Sequence, residues 1–531
     1  MSSISNKDPA TSLPDEEEDA AVSVPDTGDS GEGGKLKMIV QLVKKCFGVK
    51  DIATMRLSLP ASLLEPIPNL EWSQYLDRPD FFAAPTLTRS SVNDSDDPFE
   101  RMLAVLRFTF TKDLKYVSGR VFKPYNSVLG EHFRAHWDVF PVVSSGPDRP
   151  PIVLTEPTIT NALETSSIKS GRSSKSSTSK SPPTSLNAHM SSLSLGGQDK
   201  LRIAYVTEQV SHHPPVSAYY ASCPDRSLEL LGVDQISAKV SAAMTVRVIP
   251  GSYNKGMFVK ITGGHGEGEM YQVTHPVASV NGLLRGSFYV TVADTTIITC
   301  TGGKHGPKFR AIIEYKEESW LGKARFRLEG IIHLVNEGDK VDGWKTAKDV
   351  PQSLVVAVFD GSWRGHIRWR RVGSGSYPTA TSSASSSPSP VHISLPRSNA
   401  TSRADLATVS EGEYSTLIDL GELEVIPKQV RPLEKQLPHE SRRLWSTVTK
   451  RLENKEYSDA TKEKVAIEQR QRDEAAERLK KGIEYVPRYF DKDIDSGVPA
   501  LTSEGRKALE EELQEPSQYH IVGSADAKLS S

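Results

Sequence analysis

Two adjacent histidines in front of two prolines form the most distinctive chemical grouping in the chain, within the octapeptide Glu208–Pro215 (EQVSHHPP). The prolines restrict the backbone and remove two donors, so we predict a rigid extended rim and not the middle of a paired strand. Neighbouring side chains on an extended chain face opposite ways, so His212 and His213 are a poor chelate for one metal ion, and no metal site is predicted. Imidazoles suit a phosphate better, because they donate hydrogen bonds and gain charge near neutral pH. The alternative is a polar loop with locally satisfied histidines.

A second polar grouping is the segment Lys123–Glu131, which reads KPYNSVLGE. Lys123 supplies a point charge, Asn126 both donates and accepts hydrogen bonds, and Glu131 accepts them from hydroxyls or neutralises a lysine. Taken by itself, the segment is typical of a surface turn.

The third grouping lies on a helix that we predict from a cap at Ser458 to a stop at Gly482. Lys464, Glu468 and Arg472 are spaced four residues apart, which places them on one face of that helix. A ladder of salt bridges, worth roughly 0.3–0.5 kcal/mol per pair, is one interpretation. A site for an anion is the other.

These groupings resemble those of the oxysterol-binding-protein-related family. Every residue of that family's EQVSHHPP signature is present, and the resemblance runs from about Lys35 to Phe490. The second segment is similar to the family's Lys-Pro-x-Asn-Pro-x-x-Gly-Glu element, with Ser127 where proline is usual. The helix matches the family's Lys…Glu…Arg pattern. The resemblance implies one binding site for the headgroup of phosphatidylinositol 4-phosphate, formed by Lys123, Asn126, Glu131, His212, His213, Lys464, Glu468 and Arg472.

The resemblance also implies a tunnel for the acyl chains and a second lipid that competes for it. A sterol is the leading second cargo, and the two lipids would be exchanged between membranes without a cofactor and without catalysis. The stretch 430–445 also resembles members that carry phosphatidylserine, so a phosphatidylserine exchanger stays open. A lipid-gated sensor or scaffold is a further alternative.

Composition narrows the class of protein. The 531 residues include 65 Lys and Arg against 67 Asp and Glu, which argues against a nucleic-acid-binding protein. Three widely separated cysteines favour reduced thiols and a cytoplasmic location. The sequence contains neither an apolar run of about 18–20 residues nor a basic, apolar leader, so we expect transient, peripheral contact with organelle membranes. The HExxH, CxxC and GxSxG motifs are absent, and the glycine-rich stretch 263–268 lacks a Walker lysine, so no catalytic residue is predicted.

The expected organisation is one large domain with tails and insertions. Residues 1–34 are acidic and predicted to be disordered, as are the Ser-rich insertions 166–198 and 373–402. The domain spans 35–490, with a helical part at 430–490 and a C-terminal tail at 491–531. In the family an N-terminal lid closes the tunnel, and residues 35–66 occupy the matching place, although an ordinary docked helix is the alternative. The predicted lipid-contacting residues of this lid have helical spacing and are Leu36, Ile39, Val40, Val43 and Phe47.

Alternating apolar and polar residues over 257–261, 308–315 and 326–334 predict antiparallel strands. We therefore expect an α+β fold that is predominantly antiparallel β, a large incomplete β-barrel with an N-terminal helical lid and C-terminal helices. Periodicity does not distinguish a filled barrel from a hollow one, so the lipid tunnel is an implication of the family.

Overall fold

A twelve-stranded antiparallel sheet dominates the computed structural model of the chain. The structure describes residues 22–23, 32–46, 48–51, 57–58, 61–84, 96–118, 123–142, 151–153, 200–241, 245–282, 288–304, 306–316, 324–372 and 414–516. The first strands, β1 (Val22–Ser23) and β2 (Leu57–Ser58), form a separate parallel pair.

The sixteen other strands form two sheets. They are β3 His132–Val139, β4 Leu201–His212, β5 Pro215–Cys223, β6 Leu228–Asp234, β7 Ile236–Val240, β8 Val246–Pro250, β9 Met257–Ile261, β10 Glu269–Val273, β11 Val277–Asn281, β12 Tyr289–Ala293, β13 Thr295–Gly302, β14 Lys308–Tyr315, β15 Arg327–Val335, β16 Val355–Ser362, β17 His366–Arg371 and β18 Ser415–Asp419. The large sheet has the order β18-β17-β16-β15-β14-β13-β10-β9-β6-β5-β4-β3, and the small one β12-β11-β8-β7. Within the described residues β3 and β18 remain edges, so the predicted incomplete barrel is confirmed.

The helices flank this sheet or fill it. They are α1 Glu32–Lys45, α2 Asn69–Trp72, α3 Pro79–Phe82, α4 Pro98–Thr111, α5 Lys115–Ser118, α6 Ser441–Leu444, α7 Ser446–Glu453, α8 Tyr457–Lys481 and α9 Ser503–Gln514. The run Asp96–Glu100 predicts a helix start, and α4 begins there. Asp97 accepts a hydrogen bond from the Phe99 amide at 2.8 Å, and Pro98 occupies the first turn. All twelve strands of the large sheet and α4 contribute to one apolar core, so the sheet curls around this helix.

A buried ion pair attaches α4 to the sheet. Arg101 binds Glu269 through two hydrogen bonds of 2.9 and 2.7 Å, and the Tyr271 hydroxyl donates to the same carboxylate at 2.8 Å. Both charged side chains are almost fully buried. Arg101 and Tyr271 supply the hydrogen bonds that Glu269 loses by leaving water, so the pair orients α4 inside the sheet.

The predicted tail after Phe490 is wrong in part, because α9 packs against the outer face of β3 and β4. Ala508 and Leu509 join an apolar cluster with strand residues, and Glu512 lies fully buried beside His136, with 3.0 Å between Oε2 and Nδ1. The stretch is highly charged and so was predicted to be a tail, but its carboxylates bind Arg134 on β3 and Arg431 in the segment before α6.

The N-terminal expectations also change. Regular structure begins inside the predicted disordered tail, with β1 and with α1 from Glu32. Met38 on α1 and Cys46 just after it are buried, whereas Ile39 and Val40 are half-buried. Phe47 and the side chains of Leu36 and Val43 lie outside the described residues, as do the insertions 166–198 and 373–402.

Candidate headgroup site

The His-His-Pro-Pro sequence forms the turn of a β-hairpin. Strand β4 ends at His212, β5 begins at Pro215, and these two residues face each other in the ladder. The prediction that the octapeptide lies outside a paired strand is therefore wrong for its first half, because β4 pairs with both β3 and β5 at Glu208. The prolines remove backbone donors only at the turn, where the β4–β5 ladder ends and no hydrogen-bond partner is needed.

Both imidazoles lie at this hairpin end, with ring centroids 4.6 Å apart and nearly perpendicular planes. Burial, helped by the neighbouring His213 ring, lowers the pKa of His212 to about 4, and a backbone hydrogen bond with Ser127 only partly opposes this. His212 is therefore neutral at pH 7, which corrects the expectation of a charged imidazole. Its Nδ1 is buried without a hydrogen-bond partner among the described residues, so it has capacity for a ligand.

The Lys123–Glu131 segment lies beside β4. The Gly130 amide donates to the Gln209 carbonyl at 2.9 Å, and the Gln209 amide returns a 2.8 Å bond to the Glu131 carbonyl. Lys123 Nζ donates to Asn126 Oδ1 at 2.6 Å, and both side chains are exposed to solvent. The two backbone hydrogen bonds with Gln209 place Lys123 and Asn126 next to the histidine hairpin.

Although it is exposed, Lys123 is also partly desolvated by the protein around it. Desolvation lowers its pKa to about 8, the charge of Lys464 lowers it further, and Glu468 raises it. A group that is reachable from solvent, yet partly desolvated and close to a second cation, gains free energy when an anion binds.

Glu131 does not face solvent, which corrects its predicted contact with the headgroup. It is fully buried and accepts hydrogen bonds from the Val128 amide at 3.0 Å, the Ser441 hydroxyl at 2.7 Å and the Trp445 indole at 3.0 Å. Burial raises its pKa to about 7 although these three donors oppose the shift. Glu131 therefore connects the Lys123–Glu131 segment to helices α6 and α7.

This contact also explains a break in the C-terminal helices. The sequence predicts one helix over 440–453, but Trp445 interrupts it with non-helical φ and ψ angles of −95° and 5°. Its buried indole packs on Tyr125 with ring centroids 5.0 Å apart and donates to Glu131.

Helix α8 brings the third grouping to the site. Lys464 is buried and donates to Glu468 Oε1 at 2.6 Å, while exposed Arg472 lies 3.8 Å from Glu468 Oε2. The predicted helix stop is confirmed at Gly482, which is left-handed at φ 63°. The salt-bridge ladder is present, but it also holds two cations close to Lys123 and His212, so the two interpretations are compatible.

Electrostatic coupling shows that the three groupings meet. Lys464 and Glu468 perturb the pKa of Lys123, and Arg472 lowers the pKa of His212. The structure thus brings together every predicted headgroup residue except Glu131. Their net positive charge, together with the unpartnered Nδ1 of His212, is suited to an anion bearing phosphates.

A second buried carboxylate, Glu208, was not predicted from the sequence. It accepts hydrogen bonds from the Tyr485 hydroxyl at 2.8 Å, the Arg488 amide at 2.8 Å and the Tyr489 amide at 2.6 Å. It therefore attaches the segment after α8 to β4. A glutamate inside a strand otherwise rich in apolar residues was the available signal.

Within the described ranges there is no group of three His, Cys, Asp or Glu that could hold a metal ion. The described helices include none long and apolar enough to cross a membrane.

Comparison with known proteins gives a consistent result. The family model described as oxysterol-binding protein matches residues 38–512. The Schizosaccharomyces pombe oxysterol-binding protein-like protein 1 is 37% identical and is aligned over 94% of each chain. The Saccharomyces cerevisiae oxysterol-binding protein homolog 6 is 24% identical over 87% of this chain and 74% of its own.

Solved structures agree on the fold. The Osh1 ORD domain in complex with cholesterol superposes with a TM-score of 0.52 and 19% identity, covering 89% of this chain and 88% of its own. The Osh3 ORD in complex with PI(4)P, from Saccharomyces cerevisiae, gives 0.50 and 15%, covering 94% and 96%. The chain therefore belongs to the oxysterol-binding protein family, which consists of lipid-binding and lipid-transfer proteins and not of enzymes.

Proposed function

We propose that this protein binds phosphatidylinositol 4-phosphate and a sterol alternately in one interior and exchanges them between membranes. The observation that carries the proposal is that three distant segments bring Lys123, His212 and Arg472 to one place, where Lys464 lowers the pKa of exposed Lys123 and Arg472 lowers the pKa of His212. In the transfer cycle the protein is cytoplasmic and contacts organelle membranes only transiently.

The headgroup half of the proposal rests on charge and hydrogen bonding. Lys123, Lys464 and Arg472 supply charge for the phosphates, and Asn126 and the two imidazoles supply hydrogen bonds. Glu468 holds Lys464 in place through its 2.6 Å contact. The Osh3 ORD, which has this fold, is known in complex with PI(4)P, which supports the same ligand here.

The sterol half rests on polar atoms inside the apolar sheet. The Tyr219 hydroxyl and His275 Nε2 are buried and have no hydrogen-bond partner among the described residues. The Tyr75 ring packs against both, with centroids 5.4 Å from Tyr219 and 5.2 Å from His275. A mostly apolar ligand with one hydroxyl fits such surroundings, and the Osh1 ORD is known with cholesterol and with ergosterol.

Transfer between liposomes tests the exchange. A fluorescent sterol and a labelled phosphatidylserine would each be followed from donor to acceptor liposomes, with and without phosphatidylinositol 4-phosphate in the acceptor. Faster sterol transfer in the presence of the phosphoinositide is the expected result. Transfer of phosphatidylserine alone would replace the sterol in the proposal, and phosphoinositide binding without transfer of either lipid would favour a sensor.

A pair of variants tests the headgroup site itself. His212→Ala with His213→Ala should weaken phosphoinositide binding at least about a hundredfold, since two hydrogen bonds to a charged group are lost, while sterol binding persists. His265→Ala with His366→Ala removes two exposed imidazoles elsewhere and serves as the matched control. Equal loss of both lipids in the first variant would mean that the histidines support the fold.

A further inference from the structure

Large apolar side chains are exposed at the C-terminal end of α8. Leu479 is 84% exposed, Ile483 56% and Val486 64%, which makes them the three most exposed large hydrophobic residues in the described part of the chain. Single exposed apolar residues are common on protein surfaces, but three within eight residues form a patch that calls for a partner.

This patch continues the face of α8 that forms the headgroup site. Leu479 follows Glu468 by eleven residues and Arg472 by seven, which places it within about 20° of both around the helix axis. The rise from Arg472 to Leu479 is only about 10 Å. The row of site residues therefore leads outward to a leucine in solvent.

The segment is held firmly where it leaves the helix. The Gly482 amide donates to Leu479 O at 3.1 Å, and the Ile483 amide donates to Arg478 O at 2.9 Å, which is the Schellman arrangement. That arrangement often has an apolar contact at its last residue, but the facing position here is Arg478, so Ile483 stays exposed. The Tyr485 hydroxyl then donates to Glu208, the first residue of the octapeptide.

Charge indicates the chemistry of the partner. Across residues 478–486 the cations Arg478, Lys480 and Lys481 outnumber the single carboxylate, Glu484. Basic residues at the C-terminal end of a helix also complement the helix dipole, so their presence alone does not require a binding partner. The helix dipole does not explain the exposed leucine, isoleucine and valine beside them. Apolar side chains next to cations are typical of surfaces that enter the interface of an anionic bilayer.

We propose that residues 478–486, the α8 end patch, dock on anionic membrane by inserting Leu479, Ile483 and Val486 between lipids. Lys480 and Lys481 then approach the anionic headgroups, and the adjacent site faces the bilayer from which its ligand comes. The biological role of this docking rests on the proposed lipid transfer, but the docking itself does not. Binding to vesicles that contain neither cargo lipid measures the docking alone.

The test is binding of the full chain to vesicles of phosphatidylcholine with and without phosphatidylserine, lacking sterol and phosphoinositide. Leu479→Ser with Ile483→Ser and Val486→Ser should lower the partition coefficient on anionic vesicles at least about tenfold. Lys480→Gln with Lys481→Gln should lower it about 25-fold, near fivefold per charge, and only when phosphatidylserine is present.

The matched control replaces exposed apolar residues elsewhere, Val425→Ser with Leu433→Ser, and should change binding less than about twofold. Equal binding of the wild type and the triple Ser variant would overturn the proposal. So would failure of the wild type to bind protein-free vesicles, which would point to a protein partner. Loss of affinity for a water-soluble short-chain phosphoinositide in the triple variant would also overturn it, by showing that the patch supports the site.

A spectroscopic readout completes the test. The three native cysteines are buried, so Leu479→Cys can carry an environment-sensitive fluorophore, with Leu433→Cys as the control position. Emission at position 479 should shift to the blue on anionic vesicles, and at position 433 it should not. Absence of the shift at 479 would refute insertion. Docking without any lipid transfer would leave this inference standing and remove the proposed function instead.

Discussion

Replacement of Glu131 distinguishes a structural carboxylate from a headgroup ligand. In Glu131→Ala the Val128 amide, the Ser441 hydroxyl and the Trp445 indole lose their shared acceptor in a fully buried place. An unpaired buried donor costs about 1–3 kcal/mol, so with three donors the free energy of unfolding should fall by about 3–9 kcal/mol.

Glu131→Gln should behave differently. The amide oxygen can accept from Val128 and Trp445, and the amide nitrogen can donate to the Ser441 hydroxyl, which reverses its role. The pKa of Glu131 lies at about 7 in the folded protein, above the ordinary 4.5, so the native state binds the proton more tightly. Stability therefore falls as pH rises from about 4.5 to 7, by about 3 kcal/mol, and Gln removes this loss.

Urea unfolding at several pH values, followed by tryptophan fluorescence, measures both effects. The expected result is a large decrease in midpoint for the Ala variant and a flatter pH dependence for the Gln variant. Binding of a soluble short-chain phosphoinositide to the folded Gln variant should match the wild type. An unchanged midpoint for Glu131→Ala, combined with weaker ligand binding in both variants, would refute the structural role.

Three further outcomes follow from particular contacts. Phosphoinositide affinity should fall by up to tenfold per pH unit as the pH rises above about 8, because Lys123 must then take up a proton on binding. A titration of affinity against pH measures this, and Lys123→Arg should abolish the dependence. Arg101→Met should lower the unfolding free energy by about 3 kcal/mol, because the buried Glu269 carboxylate loses its two-hydrogen-bond partner and keeps only the Tyr271 hydroxyl and Lys308 at 3.5 Å, and an unchanged urea midpoint would contradict this. Gly130→Ala should weaken phosphoinositide binding, because Gly130 has φ +78° and an added Cβ would lie 2.8 Å from the Tyr485 hydroxyl; a calorimetric titration that shows wild-type affinity would refute it.

Much of the fold could be predicted because its signals are local. The alternation over residues 308–315 follows from the period of a strand that is buried on one face, and β14 occupies that range. The start of α4 at Pro98 and the end of α8 at Gly482 follow from capping chemistry. These interactions join residues close in sequence, so the residue types themselves record them.

The sequence by itself thus determined the family, the predominantly antiparallel architecture and the three groupings that meet at the headgroup site. Tertiary structure alone decided which polar groups are available there. Ser441 and Trp445, more than 300 residues later in the sequence, hold Glu131 away from the site through hydrogen bonds. Burial keeps His212 neutral. Helix α9, predicted as a tail, became part of the domain for the same reason. Protonation and availability depend on what packs around a side chain, and local sequence does not specify partners brought from so far along the chain.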